Sequence, residues 1–129
     1  MGNKLILLFS HKLTDEQIES SKNELNVKEF IYLPDELQNI WSNIPPKLNS
    51  IDEYLTPIKI WIKSVANDTD YILIQGDFGA TYIMVNWAFD NNYIPIYATT
   101  NREFKEVKKD GEINIIRKFS HCIFRKYNE

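Results

Sequence analysis

One cysteine, four glycines and two histidines in 129 residues leave little room for several kinds of chemistry. The lone Cys122 excludes an intrachain disulfide and a thiolate metal cluster, and its place in a strand-like run reads as an inert, buried thiol. Two histidines with no nearby carboxylate pair give no metal-ligand spacing, so neither metal nor cofactor is expected. No apolar run approaches the ~20 residues of a membrane span. The apolar start is broken at Ser10-His11-Lys12, too soon for a signal peptide. A cytoplasmic, reducing setting without a membrane partner is the expectation. Basic charge is short as well: a net charge of −3 argues against binding long nucleic acid, which needs a broad basic surface.

What is present suits one globular domain over residues 1–129, with 43% hydrophobic and 26% charged residues. Three Trp, seven Tyr and seven Phe exceed what such a core needs, so some are expected at a cavity or a subunit interface. Positive charge is concentrated late. Arg102, Lys105, Lys108, Lys109, Arg117, Lys118, Arg125 and Lys126 lie in the last third, with all three arginines among them. An anionic ligand is to be sought there.

Leu5-Ile6-Leu7-Leu8-Phe9 is a continuous apolar run, the signature of a strand buried on both faces of a parallel sheet. Thr14 to Gln17 reads as a capping box opening a helix to about Leu25. A second strand follows at 30–33. Pro34 suits the first turn of a helix carrying Leu37, Ile40, Trp41 and Ile44 on one face, stopped by Pro45-Pro46. Residues 50–53 resemble another capping box. Ile51, Tyr54, Leu55, Ile58, Trp61, Ile62 and Val65 keep helical spacing, with a kink at Pro57 or a fresh start capped by Thr56. A third strand at 71–75 leads into a helix from about Gly79 that is apolar nearly all round, which predicts a central or dimer-buried helix. A fourth strand covers 94–99. Asp110-Gly111 then marks a hairpin between strands near 104–108 and 112–119, before an extended run at 121–127. The order βαβααβαβ with a C-terminal antiparallel β extension predicts an α/β, Rossmann-like, mostly parallel sheet.

In such sheets ligands bind beyond the carboxyl ends of the parallel strands. Three of those ends are polar here: Ser10-His11-Lys12, the block Gln75-Gly76-Asp77-Phe78-Gly79-Ala80-Thr81, and Thr99-Thr100-Asn101-Arg102. The middle block brings backbone N–H groups to a helix N-terminus, which suits a phosphate, although two glycines also serve a tight turn on steric grounds alone. It is no Walker loop and lacks the third glycine of a dinucleotide fingerprint. His11 is the first candidate for acid/base work, with a solvent-facing histidine as the alternative. Arg102 suits a phosphate clamp or a salt bridge to Glu103. Asp77 suits a base, or more simply a helix cap. His121 and Arg125 would share a strand face with Phe119, Ile123 and Tyr127, roughly 13 Å apart at strand rise.

Together, Leu8-Phe9-Ser10-His11-Lys12-Leu13-Thr14, Leu33-Pro34…Trp41…Ile44-Pro45-Pro46, the block from Leu73 through Thr81, Tyr97-Ala98-Thr99-Thr100-Asn101-Arg102 and Phe119…His121…Phe124-Arg125…Tyr127 resemble the Csx-twenty family of ancillary CRISPR-associated ring nucleases of type III systems. The resemblance runs along nearly the whole chain. It implies a CARF-like, Rossmann-like homodimer whose substrate is cyclic oligoadenylate, most often the tetramer, lying across the two-fold axis. It also implies metal-independent attack of a ribose 2′-hydroxyl on the neighbouring phosphate, giving linear products with 2′,3′-cyclic phosphate ends and silencing an antiviral signal. On that reading His11, Arg102 or His121 supplies the chemistry. Ser10, the 75–81 block, Thr99, Thr100 and Arg125 hold substrate, with Phe78 stacking on adenine. A non-cleaving module that sequesters the same nucleotide is the alternative. An unrelated phosphohydrolase would need a carboxylate cluster for Mg²⁺ that the chain does not offer.

Overall fold

A strand that is apolar at every position is stable only where both faces are covered, and Leu5, Ile6, Leu7 and Leu8 are covered completely or nearly so. They belong to β1 (Asn3–Leu8), an inner strand of a computed structural model that describes residues 3–128. The other elements are α1 (Asp15–Leu25), β2 (Val27–Tyr32), α2 (Asp35–Ser42), a short 3₁₀ turn (Glu53–Leu55), α3 (Thr56–Val65), β3 (Tyr71–Ile74), α4 (Phe78–Asp90), β4 (Ile94–Lys109) and β5 (Glu112–Lys126). They form a mixed α/β structure around one five-stranded sheet of order β2-β1-β3-β4-β5. The first four strands are parallel, and β5 pairs antiparallel with β4 along the edge.

The alternation of side chains across the strands divides the core in two. Leu5, Leu7, Leu73, Ile96 and Phe124 pack toward Ile18 and Leu25 of α1. Ile6, Leu8, Ile72 and Ile74 pack with Trp41, Leu55, Ile58, Ile62 and Met84 of the helices on the opposite face. The chain leaves β1 toward β2 and returns past β1 to β3. The carboxyl ends of β1 and β3 are therefore the point where the winding reverses.

Local signals explain most of the boundaries. Thr14 caps α1 in a full capping box, its hydroxyl accepting from Gln17 N while the Gln17 side chain accepts from Thr14 N. Asp110 and Gly111 both have positive φ, as a two-residue hairpin turn requires. Other expectations are corrected. Pro34 occupies the cap position of α2 and not its first turn. No side-chain cap forms at 50–53; residues 53–55 make the 3₁₀ turn, and α3 starts afresh with Leu55 at its cap and proline in its first turn.

The larger correction concerns the C-terminal third. The strands expected at 94–99 and 104–108 are one 16-residue strand, and those at 112–119 and 121–127 are one 15-residue strand. Pairing with β3 stops at Ile96, so β4 and β5 continue beyond the body as a two-stranded ribbon. Between Ala98↔Phe124 and Thr100↔His121 the register shifts, because β5 holds one extra residue there. That bulge reverses the alternation. His121 and Phe119 accordingly lie on the α1 side, whereas Arg125 and Tyr127 lie on the side of α4; they do not share a face. Cys122, at the bulge on an edge strand, is exposed and not buried.

Candidate functional site

Trp41 shapes the carboxyl rim from below. Its indole Nε1 donates to the Gln75 carbonyl at 3.0 Å, and its ring lies so close to Gly76 that a Cβ there would approach three ring atoms to 2.9 Å. Gly76 is therefore required by the approach of a buried tryptophan and by no unusual φ. Gln75 is held at three atoms. Its N–H donates to the Leu8 carbonyl, its carbonyl accepts from Trp41, and its side-chain oxygen accepts from Ala98 N at 2.8 Å. This amide extends the β3–β4 connection past the last ladder pair.

The phosphate cradle expected at 76–80 is altered by Asp77. Its carboxylate accepts from Ala80 N at 3.0 Å and its carbonyl accepts from Thr81 N, so it caps α4. A negative side chain thus stands at the position an anion would take, and one of the free N-terminal donors is already bonded. Open cavities lie to the side instead. A cavity of about 280 Å³ is lined by Gln75, Gly76, Phe78, Thr81, Tyr97 and Tyr127. A second hollow of similar size shares Phe78, Thr81 and Tyr127 and continues along α4. Phe78 is 96% exposed, and the Thr81 hydroxyl oxygen, although buried, has no hydrogen-bond partner among the described residues.

The aromatic wall is fixed by direct contacts. Tyr127 donates to the Ile74 carbonyl at 2.7 Å, and its ring packs on Tyr97 at 4.7 Å between centroids. Burial, with a smaller contribution from Tyr97, pushes the Tyr127 hydroxyl above the ordinary tyrosine range, so it stays protonated and donating. The Arg125 guanidinium stacks over Tyr97 and donates to its hydroxyl at 2.9 Å. Arg125 is thus the cation tied to this cavity.

Of the residues picked from the sequence, the structure gathers Gln75, Gly76, Phe78 and Thr81 at one cavity, with Arg125 attached through Tyr97. Gly79 and Asp77 face a groove of about 470 Å³ on the other flank of α4, with Pro45, Leu48, Ile51 and Tyr82. Ala80 is buried on the core-facing side of α4. Ser10 and His11 line a separate hollow of about 230 Å³ with Phe9, Tyr32, Asp35 and Gln38. There the Ser10 hydroxyl accepts from Ser42, Gln38 donates to the Phe9 carbonyl, and the exposed His11 ring meets Phe9 edge-on at 5.4 Å.

The remaining candidates lie elsewhere within one chain. The Thr99 hydroxyl is used by β5, donating to the Ile123 carbonyl and accepting from Ile123 N at 3.0 Å each, which bridges the bulge. Thr100 and Arg102 are exposed on the ribbon, where Arg102 stacks on Phe119, while Glu103 points to the other face. His121 lies against α1, its Nε2 hydrogen-bonded to Ser20 at 3.0 Å and its ring on Phe124 at 4.7 Å. Burial lowers its pKa from the ordinary histidine value, partly opposed by Glu24 and Glu16. Sequence reasoning missed Trp41, Tyr97 and Tyr127 as parts of the site. The surplus of aromatics was the signal that could have found them.

Among the described residues, no three His, Cys, Asp or Glu side chains cluster as metal ligands, and no helix is long and apolar enough to cross a membrane. No solved structure matches the chain. It is 62% identical over 125 residues to the uncharacterized protein MJ1673 of Methanocaldococcus jannaschii, with 97% of each chain covered. A family model matches residues 3–125. The chain belongs to the family described as the uncharacterized protein MJ1673 family.

Proposed function

We propose that this chain is a metal-independent ring nuclease that binds cyclic oligoadenylate at the carboxyl rim of a CARF-like, Rossmann-like sheet and opens it. The observation that carries the reading is the cavity of Gln75, Gly76, Phe78, Thr81, Tyr97 and Tyr127, with Arg125 fixed at its edge. Exposed Phe78 offers a stacking surface for adenine, as aromatics do in single-strand recognition. Thr81 and Arg125 offer a hydroxyl and a guanidinium for the phosphodiester. The family resemblance of the sequence supports the same substrate. A cavity of about 280 Å³ is smaller than the pockets that usually hold drug-sized ligands, about 300–1,000 Å³. A ring of four nucleotides therefore needs several such hollows, which two copies of the rim related by a two-fold axis supply.

The reaction asks little of side-chain chemistry. A ribose 2′-hydroxyl attacks the adjacent phosphorus, the 5′ oxygen leaves, and a 2′,3′-cyclic phosphate end remains. Holding the ribose and phosphate in line and stabilising charge on the phosphoryl oxygens supply most of the acceleration. Arg125 is placed for the second task; Phe78 and Tyr97 limit the motion of the bases. The ring opened in this way no longer acts as an antiviral messenger of a type III CRISPR system.

The test is incubation with radiolabelled cyclic tetra-adenylate in EDTA, followed by chromatography. Linear products ending in 2′,3′-cyclic phosphate are expected. Thr81→Ala and Arg125→Ala should each weaken affinity about tenfold, the cost of one charge-assisted hydrogen bond of about 1.5 kcal/mol, while Lys108→Ala leaves it unchanged. A second reading is favoured by one feature: apart from its two tyrosines, no titratable side chain lines the cavity. Tight binding with full recovery of the intact ring would make the protein a sequestering module. Absence of binding would remove both readings.

A further inference from the structure

The ribbon formed by β4 and β5 beyond residue 100 is the least economical part of the molecule. From Thr100 to Lys109 it extends for about 30 Å at strand rise, and among the described residues its two strands pair only with each other. A two-stranded hairpin is marginally stable alone in water. Polar side chains would suit such an arm, yet Phe104 is 67% exposed, and Ile113, Ile115 and Phe119 are more than half exposed. The register places all four on one face, the α1 side, interleaved with Arg102 and Arg117. Two cation–π contacts, Arg102 over Phe119 at 5.9 Å and Arg117 over Phe104 at 5.7 Å, agree with the shared face.

We infer that this ribbon is an arm whose Arg102, Phe104, Ile113, Ile115, Arg117 and Phe119 face docks on the acidic body of a second copy of the chain. Charge selects that occupant. Residues 100–120 contain six Lys and Arg against four Asp and Glu, a net of +2, leaving −5 on the rest of the chain. The arm of one copy and the body of another therefore attract each other, and the contact is reciprocal about a two-fold axis. A long polyanion is disfavoured, because it would meet the same net −5 body and Glu106 in the middle of the arm face. Direction agrees with this choice. β4 runs parallel to β1 and β3, so the arm projects from the edge of the sheet that carries the rim, and it flanks whatever sits there.

The inference rests on the dimeric part of the proposed function and not on its chemistry, so it is tested without nucleotide. By sedimentation equilibrium the full chain is expected to be a dimer at micromolar concentration. Phe104→Ser with Phe119→Ser should raise the dissociation constant at least about a hundredfold, as loss of buried aromatic anchors does, with an unchanged circular dichroism spectrum. Arg102→Glu with Arg117→Glu should raise it at least about tenfold at low salt and less at 1 M salt. Zero-length carboxylate-to-lysine cross-linking of a mixture of ¹⁵N-labelled and unlabelled wild-type chains provides an independent measurement. Mixed-isotope links between Lys108, which shares the docking face, and carboxylates in residues 15–90 are expected. A wild-type monomer would overturn the inference. So would arm links found only within one chain, or a dimer lost in Phe78→Ser with Tyr82→Ser but kept in both arm variants. A monomer that captures single-stranded oligonucleotides through the arm would replace it with a nucleic-acid interface.

Discussion

At the scale of single residues, the rim is defined by close approach more than by charge. Gly76 and Gly79 look alike in the sequence, two glycines three apart, but they meet different surroundings. A methyl on Gly76 would press into the buried Trp41 ring at 2.9 Å and displace the indole that bonds the Gln75 carbonyl. At Gly79 the same methyl would find its nearest neighbours at 3.5 and 3.7 Å, ordinary contact distances, on a helix that tolerates alanine well. Gly76→Ala should therefore cost about 1–3 kcal/mol of stability, as overpacking does, whereas Gly79→Ala should be neutral or slightly stabilising. Urea unfolding of the two variants checks this, and equal effects would mean that the Trp41 contact does not govern the turn. The sequence shows that a tight turn is present. It does not show which glycine is under a tryptophan, because Trp41 lies 35 positions away and meets Gly76 only through the tertiary packing of α2.

At the scale of elements, what was legible followed local chemistry. The capping box of α1, the Asp77 cap of α4 and the Asp110-Gly111 turn are short-range devices, and each appears in the structure where its residues stand. The continuity of β4 and β5 was not legible. Polar residues from Thr99 to Arg102 resemble a loop, yet they are strand residues because their backbone pairs with β5, a long-range partner that local composition does not reveal. The bulge near Thr99 was hidden for a similar reason, since a single extra residue leaves no compositional trace. Its consequence is that His121 packs on α1, bonded to Ser20. This contact has a pH dependence whose sign follows from burial. Burial lowers the His121 pKa below the unfolded value of about 6.5, so on acidification the unfolded chain binds the proton first. The stability contributed by neutral His121 is complete above about 6.5 and is lost as pH falls from there through the lowered folded value. Urea unfolding at pH 7.5 and 5.5 should show a smaller drop for His121→Gln than for the unaltered protein. A drop of equal size would indicate that His121 is not desolvated by α1.

At the scale of the whole molecule, the winding of the sheet assigns the two histidines to different regions. His11 follows β1, an inner strand where the winding reverses toward β3, on a loop tied to α2 by the Ser10–Ser42 and Gln38–Phe9 hydrogen bonds. Its backbone is anchored while its ring is exposed at the rim. His121 is on the far edge strand, on the α1 face, with Nε2 already engaged. If an imidazole moves a proton at the 2′ or the leaving 5′ oxygen, the rim position favours His11, and general acid/base transfer contributes about 10²–10⁴-fold in such cases. His11→Ala is then expected to lower the single-turnover rate on cyclic tetra-adenylate at least about tenfold, roughly 1.4 kcal/mol of barrier, with affinity kept within a few-fold. His121→Ala should leave that rate unchanged. The reverse result would bring the α1 side of the ribbon over the substrate, which in a dimer means the arm of the other copy. If neither substitution matters, the reaction proceeds by positioning alone, and the residue whose removal should then slow it is Arg125, the guanidinium held at the cavity edge by Tyr97.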